Sequence, residues 1–172
     1  LVRERNRELG LISKYDELTG LLNLRGFTEQ IKNFCSKSEH QRAYIICADL
    51  DHLKEINDTW GHPAGNFALR SVANIFNGCL RSQDVVARTG GDEFLILLNC
   101  QEKNFQNIFR KRVRDACAAF NAESGKPFLV EVSLGITEFK PSPETDIPAI
   151  IEHADKDLYE AKKLRKNSVR RP

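Results

Sequence analysis

A short segment rich in glycine and acidic residues separates two apolar runs in the middle of the chain. Residues 85–87 and 94–98 are apolar, and between them the sequence reads Arg-Thr-Gly-Gly-Asp-Glu. This arrangement predicts two strands joined by a tight hairpin, with Gly90 and Gly91 supplying the positive φ angles of the turn. Asp92 and Glu93 would then lie beside a bare backbone that a ligand can approach. Gly-Gly-Asp is also ordinary turn chemistry, so the hairpin alone does not identify a functional site.

A second acidic cluster follows a continuous apolar run at residues 44–48, which predicts a strand covered on both faces. That strand ends in Asp49-Leu50-Asp51. We expect this cluster and the acidic hairpin to converge in the folded chain. Such carboxylates suit Mg²⁺, which binds through one or two carboxylates together with the phosphates of a substrate.

The segment after Asp51 predicts a short helix over residues 53–58, followed by the turn-forming sequence Gly-His-Pro-Ala-Gly-Asn. Lys54, near the start of this helix, would meet the phosphates of the substrate. A purely structural interpretation exists for both elements. An Asp after a strand often caps a helix, and a Lys on a short helix is usually a solvated charge.

Length and composition agree with one folded domain. The chain has 172 residues, 41% hydrophobic content and a formal net charge of +2, so we expect no contact with a nucleic-acid polymer or a membrane by this domain. No stretch approaches the roughly 20 apolar residues of a membrane span, and none resembles a signal peptide. The five cysteines lack CxxC spacing and are expected to be core thiols in a reducing cytoplasm.

Hydrophobic periodicity predicts an alternation of helices and strands along the chain. We predict helices at residues 24–38, 53–58, 66–80, 104–121 and 147–164, and strands at residues 43–49, 85–88, 94–99 and 128–138. This order predicts an α/β fold, namely a single-domain sandwich with a central sheet of about five strands flanked by helices.

Six segments that occur in a fixed order identify a family resemblance. They are Asp16-Glu17-Leu18-Thr19-Gly20-Leu21 with Asn23, Arg25 and Phe27; Asp49-Leu50-Asp51-His52-Leu53-Lys54; Asn57-Asp58; Gly61-His62 with Gly65; Gly90-Gly91-Asp92-Glu93-Phe94; and Ala154-Asp155-Lys156-Asp157-Leu158-Tyr159-Glu160-Ala161-Lys162. With these segments the chain resembles the GGDEF domain family, the diguanylate cyclases that condense two GTP molecules into cyclic di-GMP. The resemblance implies the palm-like architecture shared by nucleotide cyclases and polymerases.

The resemblance also implies an active site with two Mg²⁺ or Mn²⁺ ions, which assist the attack of one GTP's 3′-hydroxyl on the α-phosphorus of the other. The implied metal-binding groups are Asp49, the backbone carbonyl of Leu50, and Glu93. Asp92 is implied as a second-metal ligand or as the acceptor of the hydroxyl proton, and it is counted with Glu93 and Lys54 as catalytic. The implied GTP-binding positions are Leu53, Lys54, Asn57, Asn66, Gly90, Gly91, Lys162 and Lys166.

Each domain would bind one GTP, so the resemblance implies a homodimer of facing domains as the active unit. The chain contains no Met, and we expect it to be a piece of a longer polypeptide. Residues 1–14 are expected to be a helical linker from a missing upstream sensory region, or alternatively a solvated helix packed on its own domain. We expect the domain itself at residues 15–168, a tail at 169–172, and a cytoplasmic location, with a larger membrane-anchored bacterial protein as one setting.

Two departures from the family pattern affect the substrate site. Asn66 stands where the family usually has Asp, and an amide offers only one acceptor group where a carboxylate accepts from both guanine N1–H and the exocyclic amine. Losing such a paired contact costs about 1 to 3 kcal/mol of base discrimination. Lys166 replaces an Arg that grips phosphate with two bonds. These residues leave two alternatives open: a cyclase with relaxed base specificity, or a low-activity or non-catalytic module that binds GTP or cyclic di-GMP.

Five residues separate the motif Arg81-Ser82-Gln83-Asp84 from Gly90. At this offset it matches the RxxD product-inhibition site of the resembled family. Arg81 would bond guanine O6 and N7 in a bidentate manner and, with Asp84, hold cyclic di-GMP. The structural alternative is a solvated helix end.

Overall fold

The computed structural model describes residues 13–37 and 42–169, with side chains described through residue 164. The predicted linker and tail therefore lie almost entirely outside the described residues. The elements are α1 (Leu24–Ser36), β1 (Ala43–Leu50), α2 (Leu53–Trp60), α3 (His62–Cys79), β2 (Val85–Gly90), β3 (Glu93–Leu98), α4 (Phe105–Ser124), β4 (Val132–Phe139) and α5 (Ile147–Val169). Among the described helices, none has the length and apolar character needed to cross a lipid bilayer.

The strands of the described residues form one antiparallel sheet in the order β2-β3-β1-β4. This is four strands where the sequence predicted about five. All eight residues of the central strand β1 are buried, as its continuous apolar run predicted. Helices cover both faces of the sheet, so the predicted α/β sandwich is confirmed.

Side chains on β1 alternate between two hydrophobic clusters. Tyr44 packs on the face that α3 and α4 cover, together with Phe76. Ile45 points to the opposite face and packs with Ile31 of α1 and Leu158 of α5. All five cysteines are buried free thiols, which confirms their prediction as core residues.

The predicted start of β4 was wrong by four residues, and one side chain explains the difference. Residue 128 was expected to begin the strand, but β4 begins at Val132. The amide of Asn121 on α4 accepts from the backbone N–H of Val130 at 2.8 Å and donates to its carbonyl at 2.9 Å. Because both backbone groups of Val130 are bonded to a helix, they do not pair with β1.

The hairpin between β2 and β3 turns with one glycine in a positive-φ conformation, not two as predicted. Gly91 has a φ of +43°, which favours glycine because other residues are strained there. Gly90 is the last residue of β2 and pairs with Glu93. The register shifts between Arg88 and Gly90, so an irregular ladder precedes the turn.

Helix α5 packs closely on β4 at Gly135. A Cβ on Gly135 would lie 2.7 Å from Cβ of Leu158 and closer still to two backbone atoms of the helix. The backbone N–H of Ile136 donates to Asp157 of α5 at 2.8 Å. Arg110 of α4 donates to the same carboxylate at 2.6 Å and also to the carbonyl of Leu134. These bonds satisfy some of the backbone hydrogen-bonding groups along the open edge of β4, and they fix the position of α5.

Candidate active site

The two acidic segments meet at one end of the sheet, as the sequence predicted. Asp49 is the second-to-last residue of β1 and Glu93 begins β3, and they are direct partners in the antiparallel register. Side chains of directly opposed residues project from the same face of a sheet. The backbone N–H of Leu50 donates to the carbonyl of Asp92 at 3.0 Å. This bond ties the hairpin tip to the end of β1.

Lys162 of α5 reaches the carboxylate of Asp49 from the helix layer. Its Nζ lies 2.8 Å from Oδ1 of Asp49. Burial is the largest influence on Asp49 and, with the charges of Asp92 and Asp51, raises its pKa to about 6, although the hydrogen bond and charge of Lys162 oppose the rise. A desolvated carboxylate beside other acids gains stability from added positive charge, so the site favours a cation.

A cleft of about 1110 Å³ opens between α1 and α5 beside these groups. Asp49, Glu93 and Lys162 line it at the end of the sheet, while Cys47 and Leu95 lie deeper along the strands. The cleft therefore joins a charged region at the strand ends to an apolar region over the sheet. Its size suits a ligand of nucleotide dimensions, but the predicted base-binding residues Asn57 and Asn66 are not among the residues that line it.

The donor groups fit a divalent cation that shares its coordination with a nucleotide. Within residues 13–37 and 42–169, no three His, Cys, Asp or Glu side chains are close enough together to hold a metal ion. Mg²⁺ needs no such cage, since it usually binds one or two carboxylates and takes its other ligands from water and phosphates. Asp49 and Glu93 supply two adjacent carboxylates, and Asp92 lies in the turn just before Glu93.

The predicted base-binding residues lie together at the junction of α2 and α3. Asn57 is half-buried on α2, and Asn66 is exposed on the first turns of α3. A Cβ on Gly65 would lie 2.8 Å from Cγ of Asn57 and even closer to its amide oxygen. Because Gly65 has no side chain, the amide of Asn57 rests against the backbone next to Asn66.

Gly65→Ala is expected to displace the amide of Asn57, a predicted base-binding group, while the fold remains intact. The added methyl group displaces the end of a flexible side chain and not backbone, so the free energy of unfolding should change by less than about 1 kcal/mol. If Asn57 contacts the base as predicted, loss of this amide contact should weaken GTP binding about tenfold. Calorimetric titration with a non-hydrolysable GTP analogue measures this change. Gly78→Ala, in the same helix with no neighbour near its Cβ position, is the matched control.

Two other predicted GTP-binding residues, Leu53 and Lys54, lie in α2, and the side chain of a third, Lys166, lies outside the described residues. Leu53 and Lys54 form the first turn of α2, where Leu53 is half-buried and Lys54 exposed. The residue before them, His52, has a φ of +62°, a conformation uncommon outside glycine. Lys166 lies one turn after Lys162 in α5, and its side chain lies outside the described residues.

Arg81 and Asp84 lie at the opposite end of the β2–β3 hairpin from the acidic tip. Asp84 accepts from the backbone N–H of Arg81 at 2.8 Å and from that of Asn99 at 3.2 Å. The six residues of β2 separate this turn from the tip by about 17 Å. The carboxylate of Asp84 therefore holds the turn together, whereas the side chain of Arg81 is exposed.

Sequence reasoning missed two residues beside the hairpin. Arg88 and Asp16 form an ion pair with a closest distance of 3.0 Å, and their side chains are only 14% and 21% exposed. The available signal was an arginine two residues before the Gly-Gly turn. Its partner was not recognisable from the sequence, because Asp16 lies 72 residues away.

An antiparallel sheet with helices on both faces and carboxylates at one end defines a palm-like α/β domain. The chain belongs to the GGDEF domain family. The family model described as "Diguanylate cyclase, GGDEF domain" matches residues 13–168, which confirms the resemblance found in the sequence.

Relatives with assigned names support the same family. Diguanylate cyclase A of Treponema denticola is 36% identical over 126 residues, which are 73% of this chain and 34% of that protein. Diguanylate cyclase DosC of Escherichia coli is 35% identical over 158 residues, or 90% of this chain and 34% of that protein. The chain therefore spans about a third of the length of these relatives.

Solved structures are similar in fold. Diguanylate cyclase SiaD of Pseudomonas aeruginosa, crystallised with its activator SiaC, gives a TM-score of 0.77 at 33% identity, covering 94% of this chain and 63% of SiaD. The coiled coil and GGDEF domain of DgcB from Caulobacter crescentus, in complex with c-di-GMP, gives a TM-score of 0.75 at 25% identity. That match covers 94% of this chain and 87% of the DgcB chain.

Proposed function

We propose that this domain is a diguanylate cyclase that condenses two GTP molecules into cyclic di-GMP and releases two pyrophosphates. The observation that carries the proposal is the direct pairing of Asp49 with Glu93, with Lys162 at 2.8 Å from Asp49. The relatives named diguanylate cyclases support this assignment.

Within each domain, different side chains would bind the metal ions and the triphosphate. Asp49, the carbonyl of Leu50, and Glu93 would hold Mg²⁺, with Asp92 as a ligand of a second ion or as acceptor of the hydroxyl proton. When bound, the two ions supply polarisation of the α-phosphate and favour the deprotonated 3′-hydroxyl. Lys162, near Asp49, neutralises charge on the triphosphate.

The remaining contacts would orient the nucleotide across the end of the sheet. Lys54 and Leu53, in the first turn of α2, and Lys166, one turn after Lys162, extend the triphosphate site. Gly90 and Gly91 leave the hairpin backbone open beside it. Asn57 and Asn66 then contact the base at the junction of α2 and α3.

The reaction requires a second nucleotide, because each 3′-hydroxyl attacks the α-phosphorus of the other GTP. Two bonds form and two pyrophosphates leave, so the two halves are equivalent. One domain offers one such site, and we infer that two copies face each other in the active unit. An upstream sensory region in a longer, cytoplasmic polypeptide would bring the copies together.

Asn66 gives the base site a donor and an acceptor where a carboxylate has only acceptors. This pair complements adenine as well as part of guanine. A product that contains adenine is therefore the specific alternative to cyclic di-GMP. A non-catalytic module that binds GTP or cyclic di-GMP is the second alternative.

The deciding experiment fuses the domain to a constitutive dimerisation partner and supplies GTP, ATP or both with Mg²⁺. Mass spectrometry should identify cyclic di-GMP from GTP, and chelation of the metal with EDTA should abolish its formation. A product with adenine would instead support relaxed base specificity. Absence of any cyclic dinucleotide, with GTP binding retained, would refute the cyclase and favour the binding module.

We also infer that Arg81 and Asp84 form an inhibitory site for cyclic di-GMP. Arg81→Ala is expected to weaken inhibition by the product about 5- to 150-fold, because a bidentate contact to guanine contributes about 1 to 3 kcal/mol. The initial rate without product should stay unchanged, since this turn lies at the far end of the hairpin. Rates measured against added cyclic di-GMP test the prediction. Arg114→Ala, an exposed arginine on α4, is the control, and equal inhibition of both variants would exclude the site.

A further inference from the structure

The guanidinium of Arg88 connects the acidic hairpin to a distant part of the chain. Its Nε and Nη2 donate to the carbonyl of Gly91 at 3.0 and 2.8 Å. Its Nη1 donates to both carboxylate oxygens of Asp16 at 3.1 and 3.0 Å. One planar group therefore makes four hydrogen bonds and holds two partners at once.

Asp16 is itself fixed in place. Its Oδ1 accepts from the backbone N–H of Thr19 at 2.9 Å and from the hydroxyl of Thr19 at 2.6 Å. Burial alone would raise the pKa of Asp16, but the hydrogen bonds from Thr19 and Arg88 and the charge of Arg88 outweigh it and lower the pKa. The carboxylate is thus ionised at neutral pH and stays a strong acceptor.

Residues 13–23, which we call the N-terminal loop, are attached to β2 by further bonds. The backbone N–H of Arg88 donates to the carbonyl of Leu22 at 2.9 Å, and Leu22 forms a parallel bridge with Ala87. The loop also closes on itself, since Asn23 donates to the carbonyls of Lys14 and Ser13 at 2.8 Å each. The loop is therefore a compact unit that meets the hairpin through Arg88.

The hairpin needs this support because its ladder is irregular. The register shift between Arg88 and Gly90 interrupts regular pairing just before the turn. Gly91, with its positive φ, has no side chain to pack against neighbours. The Gly91 carbonyl is held by Arg88, and the next carbonyl, that of Asp92, accepts from Leu50. Glu93 follows directly, so its backbone position depends on both anchors.

We propose that Arg88 and Asp16 are positioning residues, which hold the Gly91 carbonyl and thereby fix Glu93 in its metal-binding position. The proposal rests on the proposed function for the role of Glu93. It also connects the N-terminal loop to the metal-binding hairpin, because any displacement of this loop moves Asp16, the acceptor that orients Arg88.

Arg88→Lys and Asp16→Asn separate positioning from charge and from folding. Lysine keeps the positive charge but lacks the planar fork, so it cannot serve Gly91 and Asp16 together. Both variants should lower the turnover number about 10- to 100-fold and weaken Mn²⁺ binding by a similar factor, as loss of support for a metal ligand does. The KM for GTP should remain nearly unchanged, because the base site at α2 and α3 is untouched.

Three measurements test whether Arg88 and Asp16 position Glu93. Electron paramagnetic resonance of free Mn²⁺ gives the metal affinity, hydrogen exchange followed by NMR gives the protection of the Gly91, Asp92 and Glu93 amides, and product formation gives the turnover number. Lys14→Gln is the control, because it removes an ion pair of 2.7 Å from the same loop to Glu29 of α1, which does not involve the hairpin. It should leave all three values at the wild-type level.

The outcomes distinguish a failure of the positioning role from a failure of the cyclase assignment. If the wild-type domain makes no cyclic dinucleotide but both variants weaken Mn²⁺ binding and expose the hairpin amides, the positioning role stands and the cyclase assignment fails. If the wild type is an active cyclase and folded Arg88→Lys matches it in Mn²⁺ affinity, amide protection and turnover, the positioning role is overturned. Should Asp16→Asn unfold, Arg88→Lys alone decides between these results.

Discussion

Glu93→Gln is expected to reduce cyclic di-GMP synthesis roughly a thousandfold or more, the effect of losing several kcal/mol of transition-state stabilisation. The amide has the shape of the carboxylate but no charge, and it is a poor ligand for Mg²⁺. Glu93 is exposed at the start of β3, so the free energy of unfolding should change little. Initial rates at saturating GTP and Mg²⁺, with the product quantified by mass spectrometry, measure the effect.

The matched control is Glu144→Gln, which removes the same charge from an exposed position before α5. It should synthesise product at the wild-type rate. A comparable loss in both variants would mean that net charge, and not a ligand at the strand end, explains the result. Near-normal synthesis by Glu93→Gln would contradict the metal assignment.

The strand that delivers Asp49 could be predicted because its signal is local. An unbroken apolar run requires cover on both faces, and β1 is central in the sheet with every residue buried. The hairpin could be predicted for a similar reason, since glycines between two apolar runs favour a turn. The convergence of Asp49 and Glu93 then followed once these strands paired.

The exact turn geometry and the start of β4 depended on contacts that no local pattern shows. Gly90 remains in β2 because the register shift places it opposite Glu93. Val130 is kept out of β4 by Asn121, nine residues earlier on a helix. An asparagine on a helix surface usually gives no sign of which backbone it will bind, so a propensity argument extends the strand too far.

The supporting residues of the site were the hardest to predict. Arg88 next to a turn has the pattern of an ordinary solvated charge, and only the fold brings Asp16 to it. Gly65 was matched as part of a motif, but its reason is the space that the amide of Asn57 occupies. For Gly65 the family resemblance supplied the position, and the structure supplies the physical cause.

Gly135→Ala is expected to cause the largest loss of stability, about 3 kcal/mol or more, because the added methyl group overlaps backbone that cannot move alone. Its Cβ would lie 2.7 Å from Cβ of Leu158 and closer to the carbonyl of Ala154 and the N–H of Leu158. The strand can accept this atom only if α5 moves away from β4. That movement would also withdraw Lys162 from Asp49, so the folded fraction of the variant should bind nucleotide more weakly.

Urea unfolding of Gly135→Ala, followed by circular dichroism, gives the change in free energy if the slope of the transition is unchanged. Gly78→Ala is the control, because nothing lies within 4 Å of its Cβ position and alanine is favoured over glycine inside a helix. The control should be more stable than the wild type by up to about 1 kcal/mol. Equal stability of Gly135→Ala and the wild type would mean that α5 packs less closely on β4 than described. Lys162, which α5 carries, would then be held less closely beside Asp49.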